Sequence, residues 1–325
     1  MLRALLVSAF AASSVLVSSL ALGQQYPSRP VSVVVPFAPG ASGDAETRLY
    51  SQKLSQALGQ PFVLDFKAGA GGTLGYRHVA KAAPDGHTLL GLSGSFTTLA
   101  ALKDDLPYDP LKEFAHISLM SKRTTVIAAY PGTPFNNIQE YIAYTRACAN
   151  PGKVNAGTPG VASIPHLSTA WFHSLVNTKV TFVHYKGTSL TLADIVAGRI
   201  DVFFGTALAA YGHLKSEKMK LLAIANAERS PLLPDARTAA EQGVTGYEYA
   251  SLFGMSTTGG TPAAIVNKLS AELASIAKMP DVIKRIEADG GMTVGTSPGE
   301  FTRFIEAEIA RHRKTAQIAG IKSEE

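Results

Sequence analysis

The sequence is poor in cysteine and in charge, and both shortages exclude whole classes of protein. A single cysteine in 325 residues excludes a disulfide scaffold and a zinc site built from several cysteines. Charged residues make up 17% of the chain, and 30 Lys and Arg against 25 Asp and Glu leave a net charge of +5. This small excess, spread along the chain, excludes a nucleic-acid-binding surface but favours anionic ligands. We therefore expect no nucleic acid among the partners.

Long hydrophobic runs are also missing, apart from one at the N-terminus. Arg3 precedes an apolar run over residues 4–22, and the small residues Ala21 and Gly23 suit a cleavage after Gly23. This pattern predicts a secretory signal peptide over residues 1–23. An uncleaved membrane anchor is the alternative, because the run is long for a signal peptide.

Short β-branched segments, loops of small residues and amphipathic stretches follow one another along the chain. Residues 31–35 read VSVVV, which is typical of a strand buried on both faces. A loop over 36–43 precedes a predicted helix over 44–58, and residues 61–66 form the next predicted strand. The same order recurs in the second half, and it predicts an α/β fold with a mostly parallel sheet.

The glycine-rich segments do not match cofactor or catalytic motifs. In residues 69–75 the last glycine of a dinucleotide-binding fingerprint stands one position late. In residues 91–95 the last two residues of the hydrolase motif G-x-S-x-G are transposed. The histidines show no spacing typical of a metal site. We expect no cofactor and no metal, and a serine hydrolase using Ser93 or Ser95 stays open as an alternative.

Three loops of small residues follow predicted strands, over residues 36–43, 91–95 and 157–163. Each exposes backbone N–H groups, and such loops bind anions without help from charged side chains. Ligands of open α/β sheets sit beyond the carboxyl ends of the strands. The three loops therefore indicate a carboxylate or phosphate site, with plain tight turns as the alternative interpretation.

A series of short segments accompanies these loops in a fixed order. They are residues 26–30 (YPSRP), 36–44 (PFAPGASGD), 69–72 (GAGG), 81–86 (KAAPDG), 106–110 (LPYDP), 185–187 (YKG), 229–235 (RSPLLPD) and 260–262 (GTP). Together they resemble the extracytoplasmic solute receptors of the tripartite tricarboxylate transporter family, also called Bug receptors. The resemblance extends over residues 26–322.

The resemblance implies a periplasmic binding protein with two lobes that close like a flytrap. Each lobe is then a mostly parallel sheet flanked by helices. Residues 24–124 together with 250–325 would build lobe I, and residues 125–249 would build lobe II. The chain would cross between the lobes near residues 122–125 and 249–253.

The resemblance also implies where the ligand binds. Receptors of the family hold a ligand carboxylate with backbone amides of two loops in the first lobe, and the second lobe adds a glycine-rich loop and a strand end. The corresponding candidate ligand-binding residues, with their neighbours, are Phe37, Ala38, Gly40, Ala41, Ser42, Asp44, Ser93, Gly94, Ser95, Phe96, Thr158, Ser163, His166, Lys186, Gly205, Thr206 and Phe253. For Lys186, a solvated loop position is the alternative.

The chain departs from the family pattern in three places that bear on the ligand. Gly40 is followed by Ala41 where paired glycines are usual, and Gly205 stands where an aspartate is frequent. The second-lobe loop carries Ile164 and other apolar residues in place of polar ones. A ligand ammonium would lack its carboxylate partner, which argues against an amino acid. The added apolar lining favours an aromatic or otherwise apolar mono- or dicarboxylate, such as terephthalate.

The sequence thus predicts a periplasmic solute-binding receptor and not an enzyme. We expect a monomer that captures a small carboxylate and delivers it to the membrane permease subunits of a tripartite tricarboxylate transporter. Two alternatives remain besides transport: a secreted serine hydrolase, and a receptor that presents its ligand to a membrane sensor kinase.

Overall fold

Two β-sheets organise the chain in the computed structural model, which describes residues 26–37, 39, 42–147 and 153–321. The signal peptide predicted over residues 1–23 lies outside the described residues. The strands are β1 (Val31–Val35), β2 (Phe62–Phe66), β3 (Thr88–Ser93), β4 (Phe114–Arg123), β5 (Thr125–Ala129), β6 (Asn155–Thr158), β7 (Thr181–His184), β8 (Val202–Thr206), β9 (Lys220–Ile224), β10 (Ser251–Thr258) and β11 (Gly291–Thr293).

Helices flank both sheets. They are α1 (Ser42–Leu58), α2 (Thr73–Ala80), α3 (Gly94–Leu102), α4 (Ile138–Ala147), α5 (Ile164–Leu175), α6 (Thr188–Val196), α7 (Ala207–Lys215), α8 (Ala263–Ile276), α9 (Pro280–Ala288) and α10 (Pro298–Ala319), with a short 3₁₀ turn at Ala70–Gly72. In the described part of the chain, none of these helices has the length and apolar character that a membrane crossing requires.

The strand order is β11-β4-β10-β3-β1-β2 in the first sheet and β7-β6-β8-β5-β9 in the second. We call each sheet with its helices a lobe, the first and the second. The α/β architecture with two sheets agrees with the prediction, but each sheet is mixed and not mostly parallel. β10 runs antiparallel to β3 and β4, and β5 runs antiparallel to β8 and β9. β5 and β10 lie next to the points where the chain passes between the lobes. Their direction is therefore set by how the chain enters each lobe and not by a β-α-β repeat.

Central strands bury both of their faces, as the apolar run at residues 31–35 predicts. Val31 and Val33 pack in one hydrophobic cluster of the first lobe, and Val34 packs in the other. In the second lobe Val126 and Ile127 face opposite clusters in the same way. This alternation is the two-residue period of a strand covered by helices on both sides.

The chain passes between the lobes at two closely tied points. Thr124 is the one residue between β4 and β5, and Tyr249 lies just before β10. Asn226 fixes the first crossing, because its Oδ1 accepts a hydrogen bond from the Thr125 backbone N–H (2.8 Å) and its Nδ2 donates to the Arg123 carbonyl (3.2 Å). The neighbouring Ala225 links the two crossings, because its N–H donates to the Thr125 carbonyl (2.8 Å) and its carbonyl accepts from the Tyr249 N–H (2.8 Å).

The last helix, α10, is a third connection between the lobes. It starts with a capping box in which the Ser297 hydroxyl accepts from the Glu300 N–H and Glu300 accepts from the Ser297 N–H. Phe301 packs in the first-lobe core, whereas Ala316 packs in the second-lobe core. The predicted division assigns this helix to lobe I, and the structure adds these contacts of its last turns with the second lobe.

Side chains of α10 strengthen this bridge. Arg313 Nη2 donates to the carbonyl of Ala100 on α3 of the first lobe (3.2 Å). The next residue, Lys314, holds its ammonium 5.6 Å from the ring centre of Trp171 on α5 of the second lobe. Consecutive residues of one helix thus touch opposite lobes.

Candidate functional site

Strand ends of the two lobes meet between the sheets. β3 ends at Ser93, where α3 begins, and β8 ends at Thr206, where α7 begins. Ser93 and Thr206 occupy the N-cap positions of these helices, but neither side chain accepts a hydrogen bond from its helix. The first N–H groups of a helix have no partner inside it. Each lobe therefore presents an uncapped helix start, whose N–H groups can bind an anion.

A chain of three hydroxyls lies beside the start of α3. The Tyr76 hydroxyl is 2.7 Å from Ser95 Oγ, and Ser95 Oγ is 2.9 Å from Ser93 Oγ. Burial raises the pKa of Tyr76 to about 12, so the phenol stays protonated and can donate. Tyr76 is completely buried and fixes the Ser95 hydroxyl by this hydrogen bond. The sequence analysis missed Tyr76, because its helix position carried no signal of this contact.

Two aromatic rings shape the first loop of the first lobe. Gly43 has no room for a side chain: a Cβ atom there would overlap the ring of Phe37 and would lie 2.9 Å from Cε1 of Phe253. Phe253 is paired with Ser93 across the sheet, which brings β10 to the same place. The Arg123 guanidinium lies 5.3 Å from the Phe253 ring centre. Phe37 and Phe253 thus frame the start of α1 next to Ser93.

A buried ion pair supports this corner of the first lobe. Arg123 Nη2 is 2.6 Å from Glu46 Oε2, and the Ser121 hydroxyl donates to Glu46 Oε1 at 2.6 Å. Burial raises the pKa of the Glu46 carboxyl, while the charge of Arg123 and the bond from Ser121 lower it. Because Arg123 is the residue before the crossing at Thr124, the pair ties α1 to the junction of the lobes.

The glycine-rich loop of the second lobe is held by its own side chains. Ser163 caps α5: its Oγ accepts from the His166 N–H (3.3 Å) and donates to the Gly160 carbonyl (2.7 Å). His166 Nδ1 accepts a hydrogen bond from the Ala162 N–H at 3.1 Å. Thr158 Oγ1 lies 2.7 Å from His184 Nδ1. Thr158, Ser163 and His166 therefore fix the loop conformation.

His166 is uncharged in this setting. Burial and, to a smaller extent, the neighbouring His184 lower its pKa to about 4. Its ring packs edge-on against Phe182, with centres 4.4 Å apart, and is 4% exposed. A neutral ring with Nδ1 already engaged supports the loop and does not offer a positive charge to a ligand.

An inner cavity of about 180 Å³ lies at the strand ends of the second lobe. It is lined by Thr125, Pro159, Ile164, Pro165, Thr188, Phe203, Gly205, Thr206 and Ser251. None of these lining residues carries a charge, and four of them carry hydroxyl groups. The cavity therefore suits an apolar body with a few hydrogen-bonding positions.

Phe203 explains the glycine at position 205. A Cβ atom on Gly205 would overlap the Phe203 ring, which lies two residues earlier on the same face of β8. The ring occupies the space in which a side chain at position 205 would project. Phe203 is a site residue that the sequence analysis missed, although a glycine near the end of a strand often marks such a close approach.

An outer groove of about 830 Å³ lies on the other side of Ile164. It runs between the first and second lobes along α3, from Ser95 to Leu102, and along residues 161–165. A further surface groove of about 890 Å³ beside β9 and α7 is remote from the strand ends that carry the site. Ligands of α/β sheets bind at carboxyl strand ends, so we take the inner cavity and the start of α3 as the candidate site.

Four further candidates lie in other surroundings. Phe96 does not line the cleft: it is completely buried in an aromatic cluster with Tyr76 and Tyr108, because its position on α3 points it into the core. Asp44 lies in the first turn of α1 and pairs with Arg48 at 3.0 Å. Lys186 is exposed and has no ionic partner among the described residues. Ser42 is the first residue of α1.

Three candidates of the first loop, Ala38, Gly40 and Ala41, lie outside the described residues. In the described ranges no group of three metal-ligating side chains forms a metal site. The described partners of the Ser93 and Ser95 hydroxyls are each other and Tyr76. This differs from the histidine partner that a serine hydrolase requires.

Solved structures of other proteins share this architecture. A R. palustris protein solved with adipate is 32% identical, with a TM-score of 0.75 over 91% of this chain and 99% of that one. MatC from Rhodopseudomonas palustris, solved with bound malate, is 31% identical, with a TM-score of 0.70 over 89% and 99%. Both likenesses extend through both lobes.

Sequence relatives and a family model agree with these structures. Protein BugT of Bordetella pertussis is 30% identical over 300 residues, which are 91% of each chain. The model of the tripartite tricarboxylate transporter family receptor (TctC) matches residues 47–321. These matches confirm the family that the ordered segments predicted, so the chain belongs to the receptor family of the tripartite tricarboxylate transporters.

Proposed function

We propose that this chain captures a small carboxylate in the periplasm, between its two lobes, and delivers it to the membrane permease of a tripartite tricarboxylate transporter. Receptors of this family serve transport and are not enzymes. Adipate and malate, which accompany two related structures, are both small dicarboxylates. We further propose that the receptor acts as a monomer.

The observation that carries the proposal is an uncapped helix start in each lobe, both close to Ile164, which lines the inner cavity together with Thr206 and faces Gly94 at the start of α3. Ser93 with α3 comes from the first lobe, and Thr206 with α7 comes from the second. A carboxylate held by N–H groups and hydroxyls of both lobes stabilises only the closed arrangement, because the open one separates the two sets of donors. Capture and closure then follow from the same contacts.

The lining of the inner cavity supports an apolar or aromatic acid. Phe203, Pro159, Ile164 and Pro165 provide flat or branched apolar surface, and the hydroxyl of Thr188 lies among them. A ligand ammonium would be buried without an anionic partner in this lining. We therefore propose a single-ring or short apolar carboxylate, with terephthalate as the specific example, in preference to an amino acid.

A ligand panel tests the proposal. Protein purified from the periplasm is heated with succinate, malate, adipate, citrate, glutamate, benzoate, phthalate and terephthalate, and positive ligands are titrated by calorimetry. A ligand at about 100 times its Kd stabilises the native state by about 2.7 kcal/mol. We expect this from single-ring acids, with the acid recovered unchanged. Equal affinity for citrate and the aromatic acids would contradict the preference for an aromatic or apolar acid. Turnover of the acid would contradict the receptor function.

Two glycine variants test the site. Gly94→Val places methyl groups against Ile164, whose Cδ1 lies 3.3 Å from a Cβ atom at position 94. We expect the affinity for the best carboxylate to fall at least about tenfold, or about 1.4 kcal/mol. Gly212→Val is the matched control, because nothing lies within 4 Å of a Cβ atom there. Unchanged affinity in Gly94→Val would remove the start of α3 from the site.

A further inference from the structure

Ile164 stands between the two cavities of the interlobe region. It lines the inner cavity of about 180 Å³ and also the outer groove of about 830 Å³. Across the lobes it meets Gly94, where a Cβ atom would lie 3.3 Å from Ile164 Cδ1 and 3.6 Å from Cγ1. Pro165 also lines both cavities, so Ile164 and Pro165 form the partition, and Ile164 faces the bare backbone of Gly94.

The partition is stiff. Ile164 is the first residue of α5, between the N-cap Ser163 and Pro165. A β-branched side chain has few χ1 rotamers, and proline fixes the backbone of the first turn. Ser163 is itself bonded to Gly160 and His166. The backbone at position 164 therefore cannot swing aside without breaking this cap, and the branched side chain has few other rotamers.

The outer groove beyond the partition is mainly apolar. Leu99, Leu102, Leu106 and Val161 line it, and Ser95 lines it as well. It also includes Lys103 and Asp105, whose opposite charges leave the lining without a net charge. Such a groove can accommodate a hydrocarbon tail that extends past Ile164 from a carboxylate bound in the inner cavity.

We propose that Ile164 determines ligand size, and that it excludes acids whose tail would reach the outer groove. This inference rests on the proposed function. An engineered cavity of about 150 Å³ in another protein holds one benzene molecule. The inner cavity of about 180 Å³ therefore holds an acid with a body of about one ring or six carbons. Replacing Ile164 with a smaller residue joins the two cavities and admits longer acids.

A homologous series of ligands tests this inference. Straight-chain monocarboxylates from butyrate to decanoate and dicarboxylates from succinate to sebacate are titrated into wild type, Ile164→Val and Ile164→Ala. The readout is the chain length beyond which the affinity drops, whichever acid binds best. We expect wild type to bind the longest acids at least tenfold more weakly than the best short one. In Ile164→Ala this loss should shrink to less than threefold, with Ile164→Val between.

The groove itself is tested by a second substitution. Leu99→Ala alone should leave the wild-type length profile unchanged, because the tail does not reach Leu99. In the double variant Leu99→Ala/Ile164→Ala, the gained affinity for long acids should fall at least threefold. Melting temperatures check that each variant folds, and Ile164→Val remains informative if Ile164→Ala does not.

The failures are distinguishable. If short acids bind and wild type and Ile164→Val have the same length profile, the inference is wrong and the receptor function stands. If wild type binds decanoate as tightly as short acids, the inference is equally wrong. If neither series nor any single-ring acid of the ligand panel binds to wild type, the proposed function fails, and the size limit fails with it. If single-ring acids alone bind, equal affinity of wild type for benzoate and for a benzoate with a five-carbon alkyl tail would show that the size limit is wrong.

Discussion

Acidification is expected to destabilise the fold through its buried, uncharged histidines, three of which lie outside the glycine-rich loop that holds His166. His116, His173 and His312 are at most 5% exposed. Burial lowers the pKa of His116 to about 4 and the pKa values of His173 and His312 to about 3. An unfolded histidine has a pKa of about 6.5. The stability that these groups contribute is therefore complete above that pH and is lost as the pH falls toward the folded values.

The size of the effect follows from proton binding. Between pH 7 and pH 5 the unfolded chain takes up most of a proton at each of these histidines, and the folded chain takes up almost none. The free energy of unfolding thus falls by about 2 kcal/mol per histidine, or about 6 kcal/mol for three. Glu46 and Glu308 act in the opposite direction, since burial raises the pKa of both carboxyls and protonation then favours the folded state. A single-residue variant separates the two effects.

His173→Gln removes one of the three contributions. His173 Nε2 lies 2.9 Å from the Tyr141 hydroxyl, and Nδ1 lies 2.6 Å from Thr178 Oγ1. We expect the variant to be less stable at pH 7. Between pH 7 and pH 5, however, it should lose about 2 kcal/mol less than wild type, because unfolding exposes one histidine fewer. Urea unfolding followed by circular dichroism at pH 7, 6 and 5 measures both quantities.

The surface variant His78→Gln controls for replacing a histidine as such, since its side chain is exposed. If wild type and His173→Gln lose the same free energy between pH 7 and pH 5, the buried ring is not the source of the pH dependence. The reasoning from burial to proton uptake would then be refuted for this lobe.

Two other substitutions test the junction of the lobes and the inner cavity. Glu46→Gln leaves Arg123 buried without its carboxylate, and we expect the free energy of unfolding in urea to fall by about 3–5 kcal/mol. Asp281→Asn, at the exposed pair with Lys53, is the control. Equal melting temperatures for the two variants would contradict the importance of the buried pair. Gly205→Ala forces the Phe203 ring to move. It should lower stability by about 1–3 kcal/mol and weaken carboxylate binding in calorimetry, whereas wild-type values for both would show that the ring has free space.

Apolar strands and loops of small residues were predictable from the sequence. The strand at residues 31–35 is β1, and the helix predicted over 44–58 is α1, two residues longer at its start. Burial on both faces leaves a continuous apolar run, which a sequence shows directly. The loop after β3 also leads into a helix whose N-cap, Ser93, is one of the predicted site residues.

The strands at the junction of the lobes were not predictable in this way. β4 and β10 carry many small hydroxyl residues, among them Ser118 and Ser256, which hydrogen bonds satisfy inside the core. Such strands lack the apolar pattern by which a buried strand is recognised. Their antiparallel direction depends on where the chain crosses between the lobes, which no local pattern encodes.

The side chains of the site were predictable only where backbone loops define it. Ser93 and Thr206 follow from their places at strand ends. The roles of Phe96 and Phe203 do not follow from the sequence, because the direction of each ring depends on how its helix or strand is rotated relative to the other lobe. Both rings are buried, but only the second lines the inner cavity.

The contact between Trp171 and Lys314 gives the receptor an internal optical reporter. Trp171 is the sole tryptophan of the sequence, and its ring faces the ammonium of a helix that is rooted in the other lobe. The emission of an indole responds to a nearby positive charge. Any rotation of the second lobe against that helix changes the distance between the Lys314 ammonium and the Trp171 ring. The emission maximum of the unlabelled protein should therefore follow the opening and closing of the lobes in real time.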